Sequence, residues 1–318
     1  MRLLVTGGAG FIGSTFVRRV LTDAYPALAG AEVVVLDKLT YAGHLANLDP
    51  VAGSPRLTFV HGDVVDAAVV DRVMPGADAV VHFAAESHVD RSIEHSLDFT
   101  TTNVLGTHVL LEAALRHDVA RFLHVSTDEV YGSVSEGASR EEDPLRPSSP
   151  YAASKAASDL IVLSYATTHQ LPALITRCSN NYGPYQHPEK IIPLFITRLL
   201  TGQPVPLYGD GLNVRDWLHV DDHCRALALA LERGVPGEVY NIGGGTQLTN
   251  RQLTEMLVDQ LGADRALVTP VADRKAHDRR YCVDDTKART QLGYQPLVPF
   301  EAGLAQTLQW YRDHQSTW

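Results

Sequence analysis

Arg2-Leu3-Leu4-Val5-Thr6-Gly7-Gly8-Ala9-Gly10-Phe11-Ile12-Gly13 is the stretch from which the rest of the chain can be read. A short apolar strand runs into the spacing Gly7-x-x-Gly10-x-x-Gly13, and a helical pattern follows through about Leu21. Glycines so placed serve a tight turn, close approach of backbone to phosphate, and close packing of helix on strand. The helix start then offers unpaired N–H groups to a pyrophosphate. Glycines alone can be a mere turn; between a strand and a helix, this spacing predicts a dinucleotide site.

Outward from there, strand and helix alternate. The second strand, Glu32 to Leu36, ends at Asp37, about twenty residues past the glycines, where a carboxylate binds the adenosine ribose hydroxyls. It would repel a 2′-phosphate, so NAD is expected rather than NADP, with Lys38 acting against that preference. A third strand, Leu57 to His61, ends in Gly62-Asp63-Val64. Asp63 either accepts from the adenine amino group or caps the helix that starts near Ala67. The fourth strand, Ala79 to Ala85, leads into small residues that let a cofactor ring approach. A helical pattern from about Leu97 to His117 contains Thr102, Asn103 and Thr107. Such alternation predicts an α/β fold, a Rossmann-type doubly wound parallel sheet with right-handed crossovers.

The fifth strand, Phe122-Leu123-His124-Val125, turns polar as Ser126-Thr127-Asp128-Glu129-Val130-Tyr131-Gly132. After a Pro/Ser loop, Tyr151-Ala152-Ala153-Ser154-Lys155 opens a helix with a capping serine and an early proline. Tyr151 and Lys155 lie four apart and share a face. Strand ends of open α/β sheets are where ligands bind. An Asp-Glu pair is often a solvated turn; the nearby phenol and amine favour chemistry instead. Beyond a strand at Leu174 to Arg177, segments shorten and Pro and Gly increase. Residues 1–179 are read as the NAD-binding domain and 180–318 as mainly a smaller α/β substrate domain, with segments near 216–243 returning to the main sheet.

Net charge is −10, which disfavours a general nucleic-acid or anionic-membrane surface. Hydrophobic content of 45% and charged content of 20% suit an ordinary globular protein. Cys178, Cys224 and Cys282 are odd in number and widely spaced, as expected of reduced thiols in a cytoplasmic protein. No signal-peptide pattern or membrane span is expected. Nor is a metal site, since no histidine pair has ligand spacing with a matching Cys or carboxylate set.

The glycine spacing together with Tyr151-x-x-x-Lys155 resembles the extended short-chain dehydrogenase/reductase family. Within it, four stretches resemble the nucleotide-sugar 4,6-dehydratases: Asp37-Lys38-Leu39-Thr40-Tyr41-Ala42-Gly43, Ala84-Ala85-Glu86-Ser87-His88-Val89-Asp90-Arg91-Ser92, the Ser126–Gly132 turn, and Cys178-Ser179-Asn180-Asn181-Tyr182-Gly183-Pro184. The likeness covers nearly the whole chain. The resemblance implies tightly bound NAD, held by Gly7, Gly10, Phe11, Ile12 and Gly13, by Asp37, Lys38, Leu39 and Thr40, and by Asp63 and Val64. Ala84, Ala85, Ser87, Thr102, Tyr151, Lys155 and Asn181 complete that set. It implies a nucleotide-diphosphate sugar, dTDP-glucose being expected, met by Ser87, Thr127, Asn180, Lys190 and Ile191, by Pro206, Leu207 and Tyr208, and by Asn250. Arg215 and part of a basic run, Arg274, His277 and Tyr281, resemble the diphosphate clamp; otherwise that run reads as a solvated surface. The chain departs from the family at Lys275-Ala276, where Pro-Gly is usual. The helices around Thr102–Thr107 and Tyr151–Lys155 carry small and apolar residues beyond one sheet face's needs, and the family pairs them in a homodimer.

The implied reaction is a hydro-lyase cycle serving deoxysugar biosynthesis. A phenol pKa near ~10 is about three units too high for a base at neutral pH, a gap of about 4 kcal/mol. One ammonium at ~4 Å supplies about 4 kcal/mol at an effective dielectric of ~20. Tyr151 with Lys155 thus fits removal of the sugar 4-hydroxyl proton, with Thr127 on the 4-oxygen. Oxidation at C4 acidifies the C5 hydrogen, and elimination at C6 then wants a base and an acid. By resemblance Glu129 is the base and Asp128 the acid. The rival readings are a UDP-sugar 4-epimerase or decarboxylase, which has no task for Asp128, and a non-catalytic NAD-sensing protein.

Overall fold

Leu3 and Val5 point to one face of their strand and Leu4 to the other, and all three are fully buried. Strands covered on both faces are apolar at successive positions, which is why the sequence shows runs here instead of alternation. The computed structural model of the chain describes residues 1–315. In chain order the first half holds β1 (Arg2–Thr6), α1 (Phe11–Leu21), β2 (Glu32–Asp37), β3 (Leu57–His61), α2 (Ala67–Val73), β4 (Ala79–His82), α3 (Val89–Glu94), α4 (Ser96–Phe99), α5 (Gly106–Arg116), β5 (Arg121–Thr127) and α6 (Pro150–His169). The second half holds β6 (Ala173–Cys178), β7 (Asn180–Tyr182), α7 (Ile191–Leu200), β8 (Val205–Tyr208), β9 (Val214–His219), α8 (Val220–Arg233), β10 (Val239–Ile242), β11 (Thr246–Thr249), α9 (Asn250–Leu261), β12 (Val268–Val271) and α10 (Phe300–Asp313).

Seven strands form one sheet in the order β10-β6-β5-β4-β1-β2-β3, every neighbouring pair parallel. The strand order reverses between β1 and β4, which opens a crevice at the strands' carboxyl ends. One face packs on α1 and α8 through Phe16, Val17, Val20, Leu227 and Leu231. The other packs on α2, α5 and α6 through Val70, Leu110, Leu111 and Val162. A separate core of α7, α9 and α10 surrounds Ile192, Phe195, Leu253, Leu257, Leu304 and Leu308. Two small sheets belong to that end, β11-β9-β7 and β12-β8.

Three expectations need correcting. β4 stops at His82, and Phe83–Ala85 continue as loop. The helical stretch after Leu97 is not uniform: Thr100–Leu105 forms a π-helical segment between α4 and α5. Such bulges commonly re-aim side chains at functional sites, and this one carries Thr102 and Asn103. Of the stretch 216–243, β10 joins the large sheet and α8 packs on it, whereas residues 216–219 lie in β9 of a small sheet. The run-and-turn pattern could not reveal this, because sheet membership depends on partners distant in sequence.

Candidate active site

The glycine turn is built by exclusion of side chains. Gly7 has a φ of +70°, and a Cβ there would lie 2.6 Å from Ala84 N. At Gly13 a Cβ would lie 2.3 Å from Gly7 O, so only glycine lets α1 sit this close to β1. Gly10 caps α1 with no side-chain hydrogen bond, which leaves the helix's first N–H groups facing the crevice. Asp37 at the end of β2 accepts from Ala9 N at 2.9 Å and from Leu39 N at 2.8 Å. Burial pushes its carboxyl pKa up, against those backbone donors.

A cavity of about 300 Å³ runs along these strand ends. Its lining includes Gly7, Gly10, Phe11, Ile12, Gly13, Asp37, Lys38, Thr40, Asp63, Val64, Ala84, Ala85, Ser87, Thr102, Tyr151, Lys155 and Asn181. Leu39 is not in this lining; its role is the backbone donor to Asp37. Asp63 does not cap α2, since Asp66 does so by accepting from Ala68 N and Val69 N. Asp63 instead meets the Lys38 ammonium at 2.6 Å. That pairing directs the Lys38 charge to a carboxylate at the neighbouring strand end.

At the far end of the cavity β5 delivers its polar turn. Thr127 accepts from Glu129 N at 3.2 Å and donates to Asp128 Oδ1 at 3.3 Å. Ser149 caps α6 by accepting from Ala152 N at 3.1 Å, with Pro150 in the first turn, and this sets Tyr151 at the cavity wall. Burial pushes the Tyr151 phenol up, Glu129 adds to it, and the Thr127 hydroxyl partly opposes it. Lys155 donates to Val125 O at 2.7 Å, so its ammonium is tied to β5. Tyr151 and Lys155, expected from the sequence to act together, share the cavity wall. Burial lowers the Lys155 pKa to about 8, with Asp159 acting in the opposite sense.

The two adjacent carboxyls sit in different surroundings. Asp128 is 3% exposed, and its Oδ2 has no hydrogen-bond partner. Burial, then Glu129 and Asp216, raise its pKa well above the ordinary carboxylate value, with Arg215 opposing them. Glu129 is also raised by burial, but Arg274, Arg215 and Lys190 all pull it back. Burial thus favours the protonated form of Asp128, while Glu129 faces Arg274, Arg215 and Lys190, which favour its anion; Arg215 acts on both carboxyls.

Glu129, Asn180 and Lys190 border a second cavity of about 190 Å³ as well. It is lined by Ile191, Pro206, Leu207, Tyr208, Arg215, Asn250, Arg274, His277 and Tyr281 among others. Arg215 is buried, stacked at 4.3 Å over the Tyr281 ring, and donates to Asp278 O at 3.0 Å. Arg274 Nε and Asn180 Oδ1 are buried without a partner, as groups reserved for a ligand would be. The basic run divides: Arg279 pairs with Asp210 at 2.8 Å and Arg280 bonds Gln247 at 3.0 Å, away from this lining. Of the residues assigned to the sugar nucleotide, Ser87 and Thr127 line the first cavity only.

Ala276 occupies a left-handed conformation with φ of 51°. An L-residue pays about 1–2 kcal/mol for that backbone, and glycine does not. Ala276→Gly is therefore expected to stabilise the protein by about 1 kcal/mol, read as a higher urea midpoint; an unchanged or lower midpoint would refute the strain.

Sequence reasoning missed Asn103, Gln186, Glu189 and Trp217. Asn103 accepts from Glu86 N at 2.8 Å and donates to Ser154 Oγ at 2.8 Å, which ties the β4 loop to α6. Trp217 had a usable signal: it lies two residues from Arg215 on β9 and so shares its face. Glu189 had only its place beside Lys190.

Comparison with known proteins agrees with this geometry. The family model described as GDP-mannose 4,6 dehydratase matches residues 4–307. The chain is 57% identical over 318 residues to a dTDP-glucose 4,6-dehydratase of Streptomyces niveus, covering 100% of this chain and 95% of that one. It is 60% identical over 319 residues to the Streptomyces antibioticus enzyme of the same description, covering 100% and 94%. A crystal structure of DesIV, the dTDP-glucose 4,6-dehydratase of Streptomyces venezuelae, was solved with NAD and dTDP bound. It superposes with a TM-score of 0.99 at 60% identity, covering 100% of this chain and 99% of that one.

Proposed function

The chain belongs to the GDP-mannose 4,6-dehydratase family, and from that premise we propose that it is an NAD-dependent dTDP-glucose 4,6-dehydratase. It converts dTDP-glucose to dTDP-4-keto-6-deoxyglucose and water. The observation that carries this reading is the pair Asp128 and Glu129, adjacent carboxyls in the cavity wall, one buried with an unpartnered oxygen and the other facing Arg274, Arg215 and Lys190. An epimerase has no use for the first.

The cradle at Gly7 and Gly13, the free N–H groups of α1 and the Asp37 carboxyl fit NAD. When bound, it supplies a hydride acceptor, and later donor, beside the sugar ring. Tyr151 takes the proton of the sugar 4-hydroxyl, and Thr127 hydrogen-bonds the 4-oxygen. With a carbonyl at C4, Glu129 removes the C5 proton while Asp128 protonates the departing C6 hydroxyl, and water leaves. Glu129 then returns its proton to C5. The proton gained by Tyr151 balances the one given by Asp128, and C6 receives back the hydride equivalent lost from C4, so the cycle closes without net redox change. Arg215, Arg274 and Lys190 meet the diphosphate, and the Pro206–Tyr208 strand meets the base. Residues 180–318 serve mainly this substrate end.

A cytoplasmic location belongs to the proposal and is supported by three free cysteines. So does a homodimer: Leu97, Leu105 and Leu160 on α4, the π-helical segment and α6 are 74%, 48% and 59% exposed. Grouped apolar side chains of this kind mark association surfaces. Light scattering should give twice the chain mass, and Leu97→Glu with Leu160→Glu should give single chains; a wild-type monomer at all concentrations sinks the dimer.

The reaction itself is tested by incubating the enzyme with dTDP-glucose and UDP-glucose in parallel. Loss of about 18 mass units, one water by the elimination chemistry above, is expected from dTDP-glucose. A change of configuration without loss of mass would mean an epimerase.

A further inference from the structure

The proposed cycle uses the same nicotinamide twice, so the cofactor must not leave between the two hydride transfers. Three segments from three different strand ends meet beside the first cavity, whose lining includes His187 and Glu189. The loop after β2 brings Tyr41 and His44. The loop between β7 and α7 brings His187 and Glu189. Helix α3 brings Arg91. The Arg91 guanidinium lies 3.8 Å from the centre of the Tyr41 ring and donates to Glu189 Oε2 at 3.2 Å. His187 packs edge-on against Tyr41 with ring centres 5.8 Å apart, and stacks on His44 at 5.8 Å with planes 7° apart.

Each loop is anchored behind this meeting point. His44 N and Asn47 Nδ2 both donate to Ala9 O, at 3.1 and 2.9 Å, so the first loop is tied to the glycine turn. The Arg18 guanidinium of α1 sits 3.9 Å over the Tyr185 ring and holds the second loop. Gln186 Nε2 donates to Asn181 O at 2.9 Å beside it. Thr40, Ala42, Gly43, His187 and Glu189 line the cavity, so the bridged loops form part of its wall.

We propose that Tyr41, Arg91 and Glu189 are positioning residues that bridge the two loops across the cofactor and retain it through turnover. The inference rests on the reading that the cavity holds NAD. Arg91 is 47% exposed in its side chain and Glu189 14%. An exposed ion pair and an exposed cation–π contact are each modest, so the bridge slows release and is not the source of affinity. The planar guanidinium suits both partners at once, stacking on the ring while it bonds the carboxylate.

The test is release of NAD from the substrate-free enzyme. The full chain is loaded with radiolabelled NAD, chased with excess unlabelled NAD, and the bound label is followed in time. Tyr41→Ala, Arg91→Ala and Glu189→Gln are each expected to speed release about tenfold, or about 1.4 kcal/mol. The double variant Arg91→Ala/Glu189→Gln should release no faster than Arg91→Ala alone, since Arg91→Ala already removes the contact with Glu189. Tyr41→Phe keeps the ring and should keep slow release. Wild-type release rates in all three single variants, or independent effects in the double variant, overturn the bridge while the label bound to wild type upholds the cofactor. If wild type takes up no label and also releases no NAD on denaturation, the NAD reading falls and the bridge falls with it.

Discussion

Asp128→Asn slows loss of water from the sugar by about 10² to 10⁴, the span usual for removing one acid or base. Oxidation at C4 should still proceed, so near-ultraviolet absorbance of reduced nicotinamide rises on the enzyme and persists. The separation follows from where the carboxyl sits. Asp128 is buried, its Oδ2 has no partner among the described residues, and burial with Glu129 and Asp216 nearby favours its protonated form. An amide of the same shape can occupy the space but has no proton to give a departing hydroxyl. Glu129→Gln should also slow elimination, and should in addition stop exchange of the C5 hydrogen with solvent deuterium. The two variants differ because the carboxyls act at different carbons. Dehydration by Asp128→Asn at the parent rate would make Asp128 a structural turn residue, and an epimerase or decarboxylase would regain ground.

Lys155→Met is expected to cost about 10³ in the rate of oxidation at C4. The figure follows from the ~4 kcal/mol that one nearby ammonium supplies to a phenolate in a closed cleft, at about 1.4 kcal/mol per decade. The structure makes the need larger, because burial and Glu129 push the Tyr151 phenol further up. It also offers a competing role, since Lys155 donates to Val125 O and could act as a peg between α6 and β5. The pH profile separates the roles. Burial brings the Lys155 pKa down to about 8, so the ammonium is present below that pH and lost above it. Wild-type activity should therefore fall as pH rises through about 8, and Lys155→Met should lack that limb. A loss under about tenfold, with the limb retained, would leave Lys155 as a peg. Tyr151→Phe should stop the reaction before any reduced nicotinamide forms. These magnitudes assume the usual range for a single proton-transfer group.

The local signals in the chain were strong where a backbone constraint or a short spacing carries the information. Gly13 is such a place, because any side chain would strike backbone of the same turn at Gly7; at Gly7 the positive φ is local, although the backbone a side chain would strike is that of Phe83 and Ala84. Asp37 at a strand end and the Ser149–Pro150 cap are others, each defined within a few residues. The parallel arrangement of the first five strands followed from their alternation with helices. Asp63 shows the limit: a carboxylate after a strand can cap a helix, but Asp66 was three residues nearer to α2 and took that place.

What the sequence by itself determined is therefore the doubly wound sheet, the phosphate turn, and the presence of a phenol, an amine and two carboxyls at one strand end. Only the tertiary structure decided how those groups differ. Asp128 and Glu129 are neighbours in the chain, yet Arg215 and Arg274, which pull Glu129 back toward its anion, arrive from β9 and from the loop after β12. The Asp216 carboxyl that raises the Asp128 pKa arrives from β9 as well. Likewise the Tyr41–Arg91–Glu189 bridge joins residues from three separate loops and helices. The physical reason is common to both: a pKa and a bridge depend on charges and rings within a few ångströms, and distance along the chain does not set distance in space.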